Sequence, residues 1–170
     1  MSQLIPHSDR ADFAVQCAVV TLSDTRTEET DTSGQLIRQM LSESGHDIRE
    51  YLILKDEPDR ICAAMEKLCG DGGIDVAIAN GGTGIAPRDT TYDAIEGLLE
   101  KTLPGFGELF RFLSYSEIGS RAIASRAVAG VCRGTLIFSV PGSRGAVKLA
   151  MEKLILPELV HLVKQIRGDK

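Results

Sequence analysis

The sequence predicts an α/β fold, a three-layer α/β/α sandwich around a mostly parallel sheet, and two observations lead to this prediction. Short apolar runs typical of buried strands alternate with longer stretches in which apolar residues recur at the spacing of one helix face. These segments follow one another as strand and helix three times, then further helices, then a last strand and helix. Such alternation is typical of parallel strands joined by helical crossovers, with helices on both faces of the sheet.

The first half of the chain contains three strand–helix units. The first helix begins at Thr32, where Gln35 completes a capping box, and it ends at Gly45. His46, directly after this glycine, is expected at the surface. The second helix has Pro58 in its first turn, a position that proline favours. The strands of these units are predicted over residues 13–22, 48–54 and 76–79.

The second half contains several helices before the last strand. A third helix follows Thr90 and Asp93, which we interpret as its capping pair. A break is predicted at 103–105, and the segment 130–133 has room for a short extra strand. The remaining predicted elements are helices over 107–115 and 120–129, a strand over 135–140, and a last helix through 147–166 with an interruption at Pro157.

Composition bounds the class of protein. A chain of 170 residues, 43% hydrophobic and 25% charged, can fill one sizeable core. Because the first twelve residues are polar, we expect a disordered arm at 1–12 and a single domain at 13–168. The net charge of −5 and the lack of tryptophan argue against nucleic acid as a partner, and no apolar run reaches the roughly 20 residues that cross a membrane. The four cysteines lack zinc-site spacing, which suits reduced residues of a cytoplasmic protein.

The glycine-rich loop at residues 80–89 follows the third predicted strand and precedes a helix. Its glycines let backbone N–H groups approach a ligand closely, and open α/β sheets bind ligands at the carboxyl ends of their parallel strands. The loop lacks the Gly-Lys-Ser/Thr of a Walker A motif, and Pro87 stands where a dinucleotide-binding motif needs a third glycine. On these grounds alone the loop is either an anion site or a tight structural turn.

Three other loops are expected at the same edge, because parallel strands place their carboxyl ends together. Hydroxyls, arginines and backbone N–H groups bind phosphate. Aspartates beside a phosphate usually share a Mg²⁺ ion with it, so the combination indicates phosphoryl or nucleotidyl transfer. The four loops are 23–26, 55–57, 80–89 and 141–144, with hydroxyls at Ser23, Thr83 and Ser143, aspartates at Asp24, Asp56 and Asp89, and basic groups at Arg26, Lys55, Arg88 and Arg144.

The same side chains also have purely structural interpretations. Asp24 and Asp56 are typical turn residues, and Asp89 is placed to cap the following helix. The basic side chains are equally typical of a solvated surface. Only their meeting in one pocket would distinguish the two interpretations.

Several motifs occur in the order and at the intervals of a known family. They are Asn80-Gly81-Gly82-Thr83-Gly84 followed by Arg88-Asp89, then Pro104-Gly105-Phe106-Gly107-Glu108, Ser125-Arg126-Ala127 and Pro141-Gly142-Ser143. Through them the sequence resembles the molybdenum cofactor biosynthesis B and Mog family of molybdopterin-binding proteins over residues 13–167. The runs Asp31-Thr32-Ser33-Gly34 and Phe110-Arg111-Phe112-Leu113-Ser114 favour the B branch of that family.

The resemblance implies a three-layer fold and adenylylation of molybdopterin, with Mg²⁺ as cofactor and ATP and molybdopterin as substrates. Asp56 and Asp89 match the two aspartates that handle magnesium and nucleotide in active members, so they would be the catalytic residues and the metal ligands. Asn80 stands where the family usually has threonine. The other positions expected to bind the ligands are Ser23, Asp24, Asn80, Gly81, Gly82, Thr83, Gly84, Pro141, Gly142 and Ser143.

The resemblance also implies partners. Members of the family form homotrimers, B-branch members can form homohexamers, and we expect contacts with other proteins of the molybdenum cofactor pathway. Two other functions stay open: a non-catalytic molybdopterin-binding, carrier or scaffold protein of the same pathway, and a generic nucleotide-binding flavodoxin-like domain. The presence of both aspartates favours the enzyme.

Overall fold

The predicted alternation of strands and helices is present in the computed structural model, which describes residues 13–168; the arm predicted at 1–12 lies outside the described residues. The strands are β1 (Gln16–Leu22), β2 (Asp47–Leu54), β3 (Val76–Asn80), β4 (Lys101–Thr102), β5 (Val128–Cys132) and β6 (Thr135–Val140). The helices are α1 (Thr32–Glu43), α2 (Pro58–Gly70), α3 (Thr91–Glu96), α4 (Pro104–Ile118), α5 (Arg144–Ala150) and α6 (Leu156–Arg167).

All six strands form one sheet in the order β2-β1-β3-β6-β5-β4. The first four are parallel neighbours, whereas β5 runs antiparallel to β6 and β4 antiparallel to β5. Thr21 of β1 pairs with Asn80 of β3, which in turn pairs with Val140 of β6. The parallel strands therefore end level with one another at a single edge of the sheet.

The helices cover both faces of the sheet, which confirms the three-layer prediction. Val19 of β1 faces the layer that contains α1, α4, α5 and α6, and the neighbouring Val20 faces the layer of α2 and α3. Phe110 and Phe138 fill the first core, and Met65 lies in the second, all at most 1% exposed. Burying one such side chain stabilises the fold by about 1.5–3 kcal/mol.

The hydrogen bonds of the two predicted capping pairs do not form, although Thr90 is the N-cap residue of α3. The carboxylate of Asp31 caps α1 by accepting a hydrogen bond from the Gly34 amide at 2.9 Å, so the Thr32–Gln35 capping box does not form. Aspartate is as good a cap as threonine, and Asp31 precedes Thr32 by one position. At α3 the Thr90 hydroxyl donates to a distant aspartate, and Asp93 pairs with an arginine instead.

The prediction of a helix over 120–129 was also wrong. A 3₁₀ turn over Gly119–Ala124 follows α4, and the chain then extends into β5, which covers most of the extra strand foreseen at 130–133. A two-residue turn joins β5 to β6 as a hairpin, and this pairing outweighs the helix propensity of the small residues. The break foreseen at 103–105 is the start of α4, because proline fits a first helical turn.

The last predicted helix is interrupted as expected. A π-helical turn, Met151–Ile155, joins α5 to α6 just before Pro157, which has no N–H to continue an α-helical ladder. His46 is buried rather than at the surface, because it lies against the start of β1. None of the helices within residues 13–168 is long and apolar enough to cross a membrane.

Candidate functional site

The four predicted loops meet at the carboxyl edge of the parallel strands. The Ser23 amide donates to the Leu54 carbonyl at 2.8 Å, which joins the loops after β1 and β2. The Gly81 amide donates to the Val140 carbonyl at 3.1 Å, and a Cβ added to Gly142 would lie 3.0 Å from the Gly81 Cα. The structure therefore brings together residues that are up to 61 positions apart in the sequence.

Close packing at the root of the glycine loop requires its first two glycines. Gly81 has a φ of +104°, and a Cβ there would lie 2.2 Å from the Leu22 carbonyl oxygen. A Cβ on Gly82 would lie 2.1 Å from both Asp56 Oδ2 and Thr91 Oγ1. Any other residue at these two positions would displace the loop.

Asp56 is fixed by hydrogen bonds to the segment after the glycine loop. Its Oδ1 atom accepts hydrogen bonds from the Thr90 amide at 3.2 Å, the Thr90 hydroxyl at 2.8 Å and the Thr91 hydroxyl at 3.1 Å. Its Oδ2 atom lies beside Gly82 and accepts no hydrogen bond from residues 13–168. The side chain is therefore more than a turn former, since one oxygen anchors α3 while the other faces the glycine loop.

Asp89 lies against the same loop. Its Oδ2 atom accepts a hydrogen bond from the Ala86 amide at 3.1 Å, and a Cβ on Gly84 would lie 2.5 Å from that oxygen. Asp89 does not cap α3, whose N-cap residue is Thr90. Because Gly82 and Gly84 are at most about 7 Å apart along the chain, the carboxylates of Asp56 and Asp89 flank one short stretch of backbone at the same end of the sheet.

The backbone between these aspartates offers hydrogen-bond donors. The N–H groups of Gly82, Thr83, Gly84 and Ile85 make no hydrogen bond to any residue in the described part of the chain. Thr83 is 4% exposed, so its amide lies at a depth where unsatisfied polar groups are costly. A run of such N–H groups suits an anion.

The loop after β1 is tied to the glycine loop by an ion pair. Arg88 Nε donates to Asp24 Oδ2, and this hydrogen bond holds the pKa of the Asp24 carboxyl below its usual range. The Ser23 hydroxyl accepts hydrogen bonds from the amides of Thr25 and Arg26 at 3.2 and 3.1 Å. Both predicted residues therefore lie at the site edge, with their side chains engaged by the protein.

Asn80 is placed differently from the rest of the predicted set. Its side chain is buried and donates to the Thr21 hydroxyl at 2.9 Å, and Thr21 in turn donates to Asp31. Tyr51 also donates to Asp31, at 2.7 Å, and burial together with this hydrogen bond raises the pKa of the tyrosine. Asn80 thus supports the root of the loop from inside the fold.

A cavity adjoins the predicted Pro141-Gly142-Ser143 turn. The Ser143 hydroxyl caps α5 by accepting from the Ala146 amide at 3.2 Å, and the Gly142 carbonyl accepts from the Ser33 hydroxyl at 2.9 Å. The cavity has a volume of about 160 Å³, and its lining includes Phe110, Ser114, Ser125, Pro141, Ser143 and Leu149. A larger cavity of about 430 Å³, beside β4 and α6, contains no residue of the four loops.

The residue that sequence reasoning missed is Arg126. Its Nε donates to the Thr83 carbonyl at 2.9 Å, and its Nη2 donates to the Gly84 carbonyl at 2.7 Å. Its Nη1 contacts both carboxylate oxygens of Asp93, at 3.1 and 3.2 Å. The motif Ser125-Arg126-Ala127 stands out in the sequence, but nothing in it indicates that the arginine binds main-chain carbonyls of another loop.

Asp56 and Asp89 each keep one carboxylate oxygen that is available to a magnesium ion. Within residues 13–168 no group of three or more His, Cys, Asp or Glu side chains is arranged to hold a metal. Mg²⁺ needs only one or two carboxylates, because it keeps water ligands and binds substrate phosphates. Asp56 Oδ2 and Asp89 Oδ1 fit this requirement, since neither accepts a hydrogen bond from a described residue.

Fold and site together define an open α/β domain with a glycine loop between two carboxylates. The sequence model of a family described as "probable molybdopterin binding domain" matches residues 18–161. Molybdenum cofactor biosynthesis protein B of Bacillus subtilis is 56% identical over 165 residues, covering 96% of this chain and 97% of that protein. This chain belongs to the MoaB/Mog family of molybdopterin-binding proteins.

Solved structures agree with the fold. A crystal structure of a molybdenum cofactor biosynthesis protein B is 50% identical, with a TM-score of 0.90, and the match covers 94% of this chain and 99% of that one. The tungsten cofactor synthesizing protein MoaB of Pyrococcus furiosus is 37% identical, with a TM-score of 0.82, covering 91% and 98% of the two chains.

Proposed function

We propose that this protein acts in molybdenum cofactor biosynthesis and adenylylates molybdopterin, using Mg-ATP and releasing pyrophosphate. One observation carries the proposal: Asp56 and Asp89 flank a glycine loop in which the N–H groups of residues 82–85 have no acceptor among the described residues. Membership of a molybdopterin-binding family supports the choice of acceptor. The names of the relatives support the pathway.

The reaction is a nucleotidyl transfer. An oxygen of the terminal phosphate of molybdopterin attacks the α-phosphorus of ATP and forms a new P–O bond. The bond between the α-phosphorus and its bridging oxygen breaks, and pyrophosphate leaves with that electron pair. A phosphate monoester is mostly dianionic at pH 7, so the nucleophile needs no general base, which agrees with the lack of histidine in the four loops.

Each part of the site has a task in this proposal. Asp56 and Asp89 would hold Mg²⁺, which supplies neutralisation of the charge on the departing pyrophosphate. The N–H groups between Gly82 and Ile85 bind the molybdopterin phosphate, and the cavity beside Ser143 accommodates part of the pterin. Asn80, Ser23 and Asp24 hold the loops at the carboxyl edge of the sheet in place.

The decisive measurement is pyrophosphate release that depends on both ATP and molybdopterin. We expect Asp89→Ala to lower turnover by about 100-fold or more, a loss on the scale of removing one preorganised charge-stabilising group. Molybdopterin affinity, measured by isothermal titration, should stay within about three-fold of the parent, because the loop amides carry that contact. Asp89→Asn keeps an acceptor for the Ala86 amide and separates the effect of charge from that of loop structure.

Asp71→Ala, at the end of α2, is the matched control and should leave turnover unchanged. Equal turnover in Asp89→Ala and the parent would contradict the assignment. A parent that binds molybdopterin but releases no pyrophosphate would instead be a non-catalytic binding or scaffold protein of the pathway.

An exposed apolar stripe on α4 supports self-association. Four apolar side chains at i, i+3 spacing are 49–71% exposed. Such a cluster is unusual on a surface that stays exposed to solvent. In this proposal a second copy of the chain covers the stripe, since the family forms homotrimers and homohexamers. The stripe consists of Leu109, Phe112, Tyr115 and Ile118.

A further inference from the structure

A single arginine holds two successive carbonyl groups of the glycine loop. Arg126 Nε donates to the Thr83 oxygen, and Nη2 donates to the Gly84 oxygen. These two N–H groups lie on one edge of a planar guanidinium and form a rigid fork. Both carbonyls must therefore point to the same side of the loop, toward Arg126.

The N–H groups of the same two peptide units point away from Arg126. In a trans peptide the C=O and the following N–H are antiparallel, and the described chain contains no cis peptide bond. The Gly84 N–H belongs to the peptide of the Thr83 carbonyl, and the Ile85 N–H to that of the Gly84 carbonyl. Both N–H groups thus face away from the arginine, and neither has an acceptor within residues 13–168.

Arg126 is itself held in place. Its third nitrogen contacts the Asp93 carboxylate, its guanidinium lies 4.6 Å from the centre of the Tyr92 ring, and its side chain is 26% exposed. Both partners are on α3, directly after the loop. The arginine therefore joins the loop to the helix that follows it, and all three guanidinium nitrogens are in use.

We propose that Arg126 is a positioning residue that turns the Gly84 and Ile85 N–H groups toward a phosphate of the substrate. The inference rests on the proposed function for the identity of that phosphate, as part of molybdopterin. Arg126 does not touch the phosphate; it lies behind the peptide groups that do. Its positive charge also polarises the two carbonyls, which strengthens the donors at the other ends of the peptides.

The test uses Arg126→Lys, which keeps the charge but replaces the planar fork of two nitrogens with one freely rotating ammonium group. The lysine therefore cannot fix the direction of both carbonyls as the fork does. Inorganic phosphate is titrated into the protein, and the amide signals of Gly84 and Ile85 are followed in ¹⁵N–¹H spectra. Both signals should shift in the parent, and the phosphate affinity of Arg126→Lys should be about 10- to 100-fold lower, the effect of one lost charge-assisted hydrogen bond. Arg133→Lys, in the turn between β5 and β6, is the matched control and should stay within two-fold.

A second readout separates positioning from general structural support. Methylguanidinium, added at millimolar concentration to Arg126→Ala, should restore the parental positions of the Gly84 and Ile85 signals and the phosphate affinity. A purely structural defect would show as a lowered melting temperature and would not respond to the added cation.

The parent protein alone also tests the idea, whether or not the variants fold. On phosphate addition the Gly84 and Ile85 amide signals should move more than the Arg126 Nε–H signal. If the Arg126 Nε–H signal shifts most, the arginine contacts phosphate directly and the positioning role is overturned. The role is also overturned if Arg126→Lys binds phosphate with the affinity of the parent, or if the Gly84 and Ile85 amide signals of the parent do not shift when phosphate is added. A parent that shows the expected shifts but releases no pyrophosphate would leave this inference standing and remove the proposed reaction.

Discussion

At the scale of single residues, buried His46 makes stability depend on pH. Its Nδ1 accepts a hydrogen bond from the Val15 amide at 3.3 Å, and burial lowers the pKa of the imidazole, against a smaller opposing effect of Asp47. The folded protein therefore favours the neutral ring, and the unfolded chain binds more protons near the usual pKa of 6.5. The contribution of His46 is fully present above pH 6.5 and is lost as the pH falls through the lower folded value.

We therefore expect the melting temperature of the parent to fall more between pH 7 and pH 5 than that of His46→Asn. Asparagine supplies an oxygen acceptor for the Val15 amide and does not titrate. Thermal melts at half-unit pH steps measure the difference. Parallel pH profiles for the two proteins would show that His46 does not contribute.

Residues whose role follows from backbone geometry could be predicted, and a residue whose role depends on tertiary contact could not. The positions of Asp56 and Asp89 in the loops after β2 and β3 were predictable, because strand and loop signals are local. Arg126 was not, because its partners are carbonyl oxygens more than 40 positions away, and every residue type carries that group. The roles of both aspartates in catalysis stay predictions until turnover is measured.

At the scale of elements, α1 depends on a buried carboxylate. Asp31 is 1% exposed and accepts hydrogen bonds from the Gly34 amide, the Thr21 hydroxyl and the Tyr51 hydroxyl. Its removal takes away a helix cap and leaves the buried Thr21 hydroxyl and the half-buried Tyr51 hydroxyl without their acceptor. We expect Asp31→Ala to lower the free energy of unfolding by about 3 kcal/mol.

Tyr51→Phe is the matched comparison, since it removes one hydrogen bond and keeps the ring, and we expect a loss of about 1 kcal/mol. Urea unfolding at constant pH measures both changes. Similar losses in the two variants would mean that the cap and the Thr21 contact add little.

The strands that were predicted well are those that carry a continuous apolar run of their own. β1, β2, β3 and β6 each carry an apolar run that is readable without knowing the fold. β5 is rich in small residues and depends on pairing with β6. β4 is two residues long and exposed, and it depends on pairing with β5. Tertiary pairing of this kind overrides local propensity.

At the scale of the whole molecule, the stripe on α4 predicts an oligomer. We expect Phe112→Glu to convert the assembly to a monomer of 18.3 kDa, because a carboxylate at the centre of an apolar contact would be desolvated without a partner. Light scattering coupled to size-exclusion chromatography measures the mass. Ala63→Glu places the same charge on the exposed side of α2, in the other helical layer, and should leave the mass of the parent unchanged.

The strand order limits how copies of the chain can meet. β2 forms one border of the sheet and presents the exposed charged residues Asp47, Arg49 and Glu50, while β4 at the other border has only two residues. Charged or very short border strands are poor templates for adding a foreign strand. A β-sheet that continues from one molecule to the next, as in fibrous aggregates, is therefore disfavoured. An assembly of defined size would instead form through contacts between helices.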